Sequence, residues 1–391
     1  MTQPAITPFT FNTTPAIVFE SGASSRLGAI AGKKLGPNVL LVTDPGLRSL
    51  GLADPAIASL EAEGAAVTVF DQVEADPSLA TLMKAVEVGR RAGVGGVVGF
   101  GGGSSQDVAK LTALLIGSGE DLDEAWGVGK AKGPRLPLVL VPTTAGTGSE
   151  VTPVSIITVG EEEKRGVSSP VILPDIAVLD AELTLGLPPA TTAATGVDAM
   201  VHAIEAYASK SPNNNPVSRT LAREALRLLG ANIETAVFNG SDRAARGAML
   251  LGSMLAGQAF ANSPVAAVHA LAYPIGGTFH VPHGLSNALV LPHVLRFNAP
   301  EAAHLYAEIA CDAFPHLAGE EGTQALCSAF IEELAALSKK LGMQTKLREV
   351  NIGEEHLEKM AADAMKQTRL LVNNPREVSQ TDALAIYRAA W

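Results

Sequence analysis

The first half of the chain alternates short, continuously apolar runs with amphipathic stretches and with turns rich in glycine or proline. Apolar runs without polar alternation are typical of strands whose two sheet faces are both covered. The runs that fit this pattern are Asn38–Thr43, Ala66–Phe70, Gly96–Phe100 and Leu136–Val141. Helical patterns lie between them, at Pro55–Glu63 and Leu79–Ala92. Strands and helices that alternate at this spacing predict a parallel sheet.

From about Leu187 the pattern changes, and helical periodicity replaces the strand signals. The predicted helices are Gly196–Ser209, Pro216–Leu229, Asp242–Ala261, Val265–Tyr273, Pro300–Phe314, Gly322–Leu341, Glu354–Gln367 and Asp382–Ala390. Two consecutive prolines, Pro188 and Pro189, interrupt whatever element precedes them and mark the boundary. The sequence therefore predicts an α/β domain over residues 1–185 and an all-helical domain over residues 186–391.

Composition narrows the class of protein. Hydrophobic residues make up 47% of the 391 residues and charged residues 18%, which excludes a disordered chain. The formal net charge is −11, so we expect no binding to nucleic acid or to a membrane surface. Cys311 and Cys327 form neither a CxxC pair nor a metal quartet, which favours a reducing compartment. With no apolar run near the ~20 residues of a membrane span and no signal-peptide pattern, we expect a cytoplasmic protein.

A glycine-rich turn follows the third predicted strand and opens a predicted helix at Asp107–Ile116. Glycines let the backbone approach a ligand closely, and the free N–H groups of a helix N-terminus attract a phosphate. The candidate cofactor-binding residues in this turn are Gly102, Gly103, Ser104 and Asp107. The alternative is a tight strand-to-helix turn with a serine N-cap, since the Gly-x-Gly-x-x-Gly fingerprint is absent.

A second candidate loop follows the fourth predicted strand, in the sequence PTTAGTGSE. It offers the hydroxyl groups of Thr143, Thr144, Thr147 and Ser149 as neutral hydrogen-bonding groups for phosphates and sugar. The alternative is a polar surface loop. Two such loops at the ends of adjacent strands favour one shared site.

Asp44 ends the first predicted strand. A carboxylate at the C-terminal edge of a parallel strand accepts hydrogen bonds from ribose hydroxyls and repels a 2′-phosphate, which favours NAD over NADP. The alternative is an Asp-Pro turn.

Histidines concentrate in the helical half. His269, His280 and His283 lie within fifteen residues of one another, and His202 follows Asp198 by four residues. On a helix, positions i and i+4 project from one face, and the neighbouring residues here are apolar. A carboxylate and imidazoles on a buried face need a partner, and Fe²⁺ or Zn²⁺ suits them better than Mg²⁺. The alternative for Asp198 and His202 is a hydrogen-bonded core pair.

Taken together, these segments resemble the iron-containing (group III) alcohol dehydrogenase family. The matching motifs are Gly101–Lys110 (GGGSSQDVAK), Pro142–Thr152 (PTTAGTGSEVT), Ala194–Glu205 (ATGVDAMVHAIE) and Pro282–Ala288 (PHGLSNA). The resemblance implies an N-terminal dinucleotide-binding domain with a parallel sheet and an all-α, metal-binding C-terminal domain. It also implies a homodimer or a higher homo-oligomer.

The resemblance implies specific roles for residues of this chain. The metal ligands are expected to be Asp198, His202, His269 and His283, holding Fe²⁺, with Zn²⁺ possible. The cofactor is expected to be NAD, held by the two loops, by Asp44 and by Lys164.

One position departs from the family pattern. Many members carry a second histidine four residues after the third ligand, and this chain has Tyr273 there. Tyr273 and the nearby His280 are therefore the candidate catalytic residues, with Tyr273 expected to hydrogen bond or to shape the pocket rather than to transfer protons.

The function implied is reversible hydride transfer between a primary alcohol or diol, or its aldehyde, and NAD. Alternatives in the same superfamily are maleylacetate reduction and polyol oxidation. The first requires basic residues that hold two carboxylates, and the metal motifs show no such pair. A dehydroquinate synthase-like lyase and a non-catalytic NAD-binding protein are the remaining alternatives.

Overall fold

The computed structural model describes residues 7–160 and 163–391. The chain divides into two compact units. The first is Thr13–Leu187, and the second is Pro188–Trp391 together with the segment before Thr13.

A six-stranded parallel sheet forms the centre of the first unit, with strand order β1-β9-β6-β4-β2-β3. Its strands are β1 (Ala16–Phe19), β2 (Asn38–Val42), β3 (Ala66–Phe70), β4 (Gly96–Gly101), β6 (Leu138–Pro142) and β9 (Ile176–Leu179). A separate three-stranded sheet has the order β5-β8-β7. It consists of β5 (Gly127–Val128), β7 (Val154–Val159) and β8 (Glu163–Ser168).

Helices cover both faces of the large sheet. They are α1 (Leu27–Leu35), α2 (Pro45–Ser49), α3 (Asp54–Ala62), α4 (Leu79–Arg91), α5 (Gly103–Ser118) and α6 (Leu122–Ala125). Alternate residues of one strand enter different apolar clusters: Leu40 and Val42 of β2 pack into one, and Val39 and Leu41 into the other. Because both faces are buried, the strands are continuously apolar, as the sequence pattern predicted.

The second unit is helical over the residues that the structure describes. Its helices are α7 (Pro189–Ala208), α8 (Pro216–Phe238), α9 (Arg243–Asn262), α10 (Ala267–Phe279), α11 (His283–Ala313), α12 (Thr323–Lys340), α13 (Leu357–Ala364), α14 (Thr368–Leu371) and α15 (Gln380–Ala390). The predicted fold class, a parallel-sheet α/β unit followed by a helical one, is confirmed. No helix in the described ranges is both long and apolar enough to cross a bilayer.

Several predicted boundaries were wrong, and prolines explain two of the errors in the helical unit. The helix predicted to begin at Pro300 begins at His283, because α11 continues through Pro292 and Pro300. The helix predicted to end at Tyr273 continues through Pro274 to Phe279. Proline costs a helix one hydrogen bond and bends it, and the packing of the buried Pro274 and Pro292 offsets that cost.

In the first unit, α5 begins at Gly103, four residues before the predicted start. The glycine turn follows the fourth strand along the chain rather than the third, because Ala16–Phe19 was not predicted as a strand. That strand lies at the edge of the sheet and has only four residues, AIVF, so its apolar run is too short to distinguish it from a loop.

Candidate metal centre and cofactor site

Three helices of the second unit bring four candidate metal ligands together. Asp198 and His202 lie one turn apart on α7, His269 lies in the first turn of α10, and His283 is the first residue of α11. One ligand atom from each lies within 4.8 Å of those of the other three. The first three are buried, whereas His283 is exposed.

Small residues allow these helices to approach one another. Gly284, directly after His283, packs so tightly against α7 that a Cβ there would lie 2.2 Å from the carbonyl oxygen of Ala194. Any larger residue would therefore move the start of α11, and His283 with it, away from Asp198.

Glu205, which the sequence analysis did not single out, fixes the orientation of His269. One carboxylate oxygen of Glu205 accepts the backbone N–H of Val268 at 2.7 Å, and the other lies 2.6 Å from Nδ1 of His269. Because Glu205 accepts at this position, Nδ1 carries the proton and Nε2 presents a lone pair, as a metal ligand requires. The signal was available: Glu205 lies three residues after His202, on the same helical face.

Asn287, also missed, orients Asp198. Its side-chain amide donates to Oδ1 of Asp198 at 2.6 Å and lies 3.3 Å from Nε2 of both His269 and His283. Its own Oδ1 is buried without a hydrogen-bond partner in the described structure. The spacing of four residues between His283 and Asn287 on α11 was the available signal.

The charge of the cluster favours a cation. Burial by itself raises the pKa of Asp198, but His202, His283 and His269, with the hydrogen bond from Asn287, outweigh burial and hold that pKa below its usual range. An ionised carboxylate buried against imidazole lone pairs, beside an orphaned amide oxygen, is a donor set that fits a divalent transition metal.

The two candidate catalytic residues differ in their contacts with the candidate metal ligands. Tyr273 follows His269 by one turn of α10, and its ring centroid lies 6.3 Å from that of His283. His280 directly follows the last residue of α10, and its backbone is left-handed with a φ of 55°. Within the described ranges, its side chain has no hydrogen bond, ion pair or ring contact with the four candidate ligands.

In the first unit, the two predicted loops lie side by side at the carboxyl ends of β4 and β6, which pair directly. Helix α5 begins at Gly103 without a side-chain cap, so its first N–H groups are left for a ligand. A Cβ on Gly103 would lie 3.0 Å from Cγ2 of Thr147, and one on Gly102 would lie 3.6 Å from Oγ1 of Thr144. This arrangement of backbone N–H groups and threonine hydroxyls fits a pyrophosphate.

Other predicted cofactor residues have partners inside the unit. Asp44 caps α2 and accepts the N–H of Leu47 at 2.9 Å. Lys164 forms an ion pair with Asp76 at 2.7 Å. The backbone N–H of Thr143 donates to the carbonyl of Gly101. Ser104 lies half-buried in the first turn of α5.

The hydroxyl of Ser149 donates a hydrogen bond to the carboxyl group of Asp107 at 3.0 Å, beside the buried ammonium of Lys110. That ammonium donates to Ser149 at 2.8 Å, to Thr152 at 3.2 Å and to the carbonyl of Val154 at 2.7 Å. Burial raises the pKa of Asp107 despite the opposing charge of Lys110. A direct contact of Asp107 or Ser149 with a cofactor stays a prediction.

Comparison with known proteins gives the family to which this chain belongs. The family described as iron-containing alcohol dehydrogenase matches residues 14–181, and its C-terminal domain matches residues 192–391. The chain belongs to this family of oxidoreductases.

Three similar proteins illustrate the match. The chain is 42% identical to long-chain-alcohol dehydrogenase 1 of Geobacillus thermodenitrificans, covering 92% of this chain and 91% of the relative. A solved 1,3-propanediol oxidoreductase has a TM-score of 0.94 at 36% identity, covering 98% of this chain and all of the other. A sulfoacetaldehyde reductase of Bifidobacterium kashiwanohense, solved with NAD⁺, has a TM-score of 0.85 at 28% identity and 98% coverage of both chains.

Proposed function

We propose that the protein transfers a hydride reversibly between a primary alcohol or diol, or the corresponding aldehyde, and NAD, with a divalent metal held by Asp198, His202, His269 and His283. The convergence of these four ligand atoms on three helices is the observation that carries the proposal. Fe²⁺ is the expected metal and Zn²⁺ the alternative, because both accept imidazoles with one carboxylate. The oligomeric state and the cytoplasmic location stay predictions.

A divalent metal held by these four residues would supply Lewis acidity, and NAD would exchange the hydride. The protein's residues prepare the site for both. Glu205 keeps the proton of His269 on Nδ1, and Asn287 holds the carboxylate of Asp198 towards the imidazoles. The uncapped start of α5 and the hydroxyls of Thr144 and Thr147 bind the pyrophosphate.

The test is a scan of short alcohols, diols and aldehydes with NAD and NADP, on enzyme reconstituted separately with Fe²⁺ and Zn²⁺. We expect turnover of at least one primary alcohol that depends on added metal and prefers NAD. Tight NAD binding without turnover across the scan would leave a non-catalytic NAD-binding protein. A preference for glycerol-like substrates would replace primary-alcohol oxidation by polyol oxidation.

Asp44 is the residue to vary for cofactor choice. Asp44→Gly should relax the preference for NAD, because it removes the carboxylate that repels a 2′-phosphate. Glycine costs an N-cap position only a few tenths of a kcal/mol, so folding should be preserved. Asp121→Gly, at the N-cap of α6, is the matched control. Equal use of NAD and NADP by the unmodified protein would contradict the role of Asp44.

A further inference from the structure

Helix α14 places a positive charge next to Tyr273. Nη2 of Arg369 donates a hydrogen bond to the phenol oxygen of Tyr273 at 3.3 Å, and the arginine side chain is exposed. In the described structure no carboxylate forms an ion pair with Arg369. Arg26, Arg165 and Arg296, which are also exposed, each pair with a glutamate.

This charge lies close to the candidate metal centre. Tyr273 is one turn from His269 on α10, and its ring lies 6.3 Å from the ring of His283, centroid to centroid. A single side chain, that of Tyr273, therefore separates the guanidinium from a candidate metal ligand. The sequence analysis found no basic residue near the metal motifs, because Arg369 is distant from them along the chain.

The acidic groups of the neighbourhood do not neutralise Arg369. Asp198 and Glu205 are buried and are engaged with imidazoles and backbone. On the preceding helix, Asp363 pairs with Lys366 at 2.6 Å. The charge of Arg369 is therefore available to a ligand, and a guanidinium binds planar or tetrahedral oxyanions through paired hydrogen bonds.

We propose that Arg369, assisted by the phenol of Tyr273, binds the far end of the substrate, and that the preferred substrate is a short aldehyde or alcohol whose other end carries a carboxylate or a sulfonate. This inference rests on the proposed function and specifies its substrate class. The reacting oxygen lies at the metal centre and the anionic group at Arg369. The short path through Tyr273 limits the chain between the two ends to a few carbons.

The experiment compares charged and neutral aldehydes of similar length on the metal-reconstituted enzyme with NADH. Succinic semialdehyde is paired with butanal, and sulfoacetaldehyde with propanal. The measured quantity is the ratio of kcat/KM for the charged member to that for the neutral member. Arg369→Met should lower this ratio roughly ten- to hundredfold, the range expected for loss of one charge-assisted hydrogen bond. Arg369→Lys should retain part of the preference for the charged aldehyde.

Two further measurements separate direct binding from a general effect. The KM for the charged aldehyde should rise with added NaCl in the unmodified enzyme and lose that dependence in Arg369→Met, because salt screens an exposed ion pair. Arg388→Met removes an equal charge from α15 and should leave the ratio unchanged.

The outcomes are distinct. A preference for one of the two anions that Arg369→Met removes supports the inference and identifies that anion. Turnover of neutral aldehydes without a preference for charged ones, or an unchanged ratio in Arg369→Met, overturns this inference alone. No turnover of any aldehyde overturns the proposed function and this inference with it.

Discussion

Each of the two units contains a buried polar cluster, and the clusters differ in whether their own side chains satisfy them. Around Lys110, all three ammonium protons find acceptors in Ser149, Thr152 and the carbonyl of Val154. Around Asp198, Nε2 of His269 presents a lone pair, and Asn287 leaves its amide oxygen unpaired.

The difference separates a structural cluster from a ligand site. The Lys110 cluster supplies cation and acceptors itself, so it fastens α5 to the loop that carries Thr147 and Ser149. The Asp198 cluster instead gathers a carboxylate and imidazole nitrogens around one point, which is the arrangement that a bound cation requires. Crowding buried acceptors together is costly unless a cation binds between them, so this arrangement is typical of a ligand site.

The largest effect should come from removing one of the candidate metal ligands of the Asp198 cluster. His269→Ala takes away one of four donor atoms and leaves the carboxylate of Glu205 buried opposite a cavity. We expect metal content to fall below stoichiometry and kcat/KM to fall by about 10³ or more, since the Lewis-acid contribution is lost. Elemental analysis measures the metal, and circular dichroism checks the fold.

The exposed His316, which pairs with Glu333, offers the matched control. His316→Ala should keep full metal content. Full metal occupancy in His269→Ala would remove His269 from the ligand set.

A substitution in the Lys110 cluster should instead lower the stability of the folded protein. Lys110→Met removes a buried ammonium with its three hydrogen bonds, and it leaves the buried carboxyl groups of Asp107 and Glu150 without the positive charge near them. We expect the free energy of unfolding to fall by about 3–5 kcal/mol, as for removal of one partner from a buried ion pair. Urea denaturation measures it.

NAD affinity, measured by fluorescence titration, should also weaken in Lys110→Met, because the loop that carries Thr147 loses its attachment to α5. Lys84→Met, on the surface of the same unit, is the control. A loss below about 1 kcal/mol would show that the network around Lys110 contributes little.

The fold was predictable where burial is two-sided. β2 and β4 are mostly apolar because both of their faces are buried, whereas β3 lies at the sheet edge and is apolar except for Thr68. The predicted bounds of all three strands agree with the structure within one residue. β8, with the sequence EKRGVS, could not be predicted: it lies outside the large sheet, and its pairing with β7 comes from the tertiary structure. Helices that continue through Pro274, Pro292 and Pro300 were missed for a similar reason, since local sequence opposes them.

The ligand set could be proposed from spacing and family resemblance, but its supporting residues could not. Glu205 and Asn287 follow ligands by three and four residues on the same helices, but this spacing is common and gains meaning only once their partners are known. Arg369 was the hardest residue to predict, because 96 residues separate it from Tyr273 in the sequence and only the packing of α14 brings the two side chains together.

A substitution at Glu205 tests how far the residues around the candidate ligands contribute to metal binding. Glu205→Gln keeps the side-chain volume but weakens the hold on the Nδ1 proton of His269. We expect metal affinity, measured by competition with a chelator, to fall roughly 10–100-fold, which is the usual effect of changing a residue that orients a metal ligand. Glu308→Gln, next to Tyr207 in the same unit, is the control. An unchanged affinity would mean that packing alone orients His269.

The smallest effect concerns Glu150, a neighbour of the Lys110 cluster, whose Oε1 is buried without a hydrogen-bond partner in the described part of the chain. Burial raises the pKa of Glu150 from 4.5 to about 7, although its backbone and Lys110 lower it. Between pH 4.5 and about 7 the folded state therefore binds a proton that the unfolded state has lost.

A group with a raised folded pKa stabilises the protein below its unfolded pKa and loses that contribution as pH rises through the folded one. The contribution of Glu150 to the free energy of unfolding should accordingly decrease between pH 5 and pH 7, by roughly 1–3 kcal/mol. Glu150→Gln cannot ionise and should flatten this part of the stability profile, measured by urea denaturation at successive pH values. Glu63→Gln, at the exposed end of α3, should leave the profile unchanged. If Glu150→Gln retains the full slope, the buried carboxylate is already ionised and Lys110 compensates its charge, which would make this cluster fully satisfied.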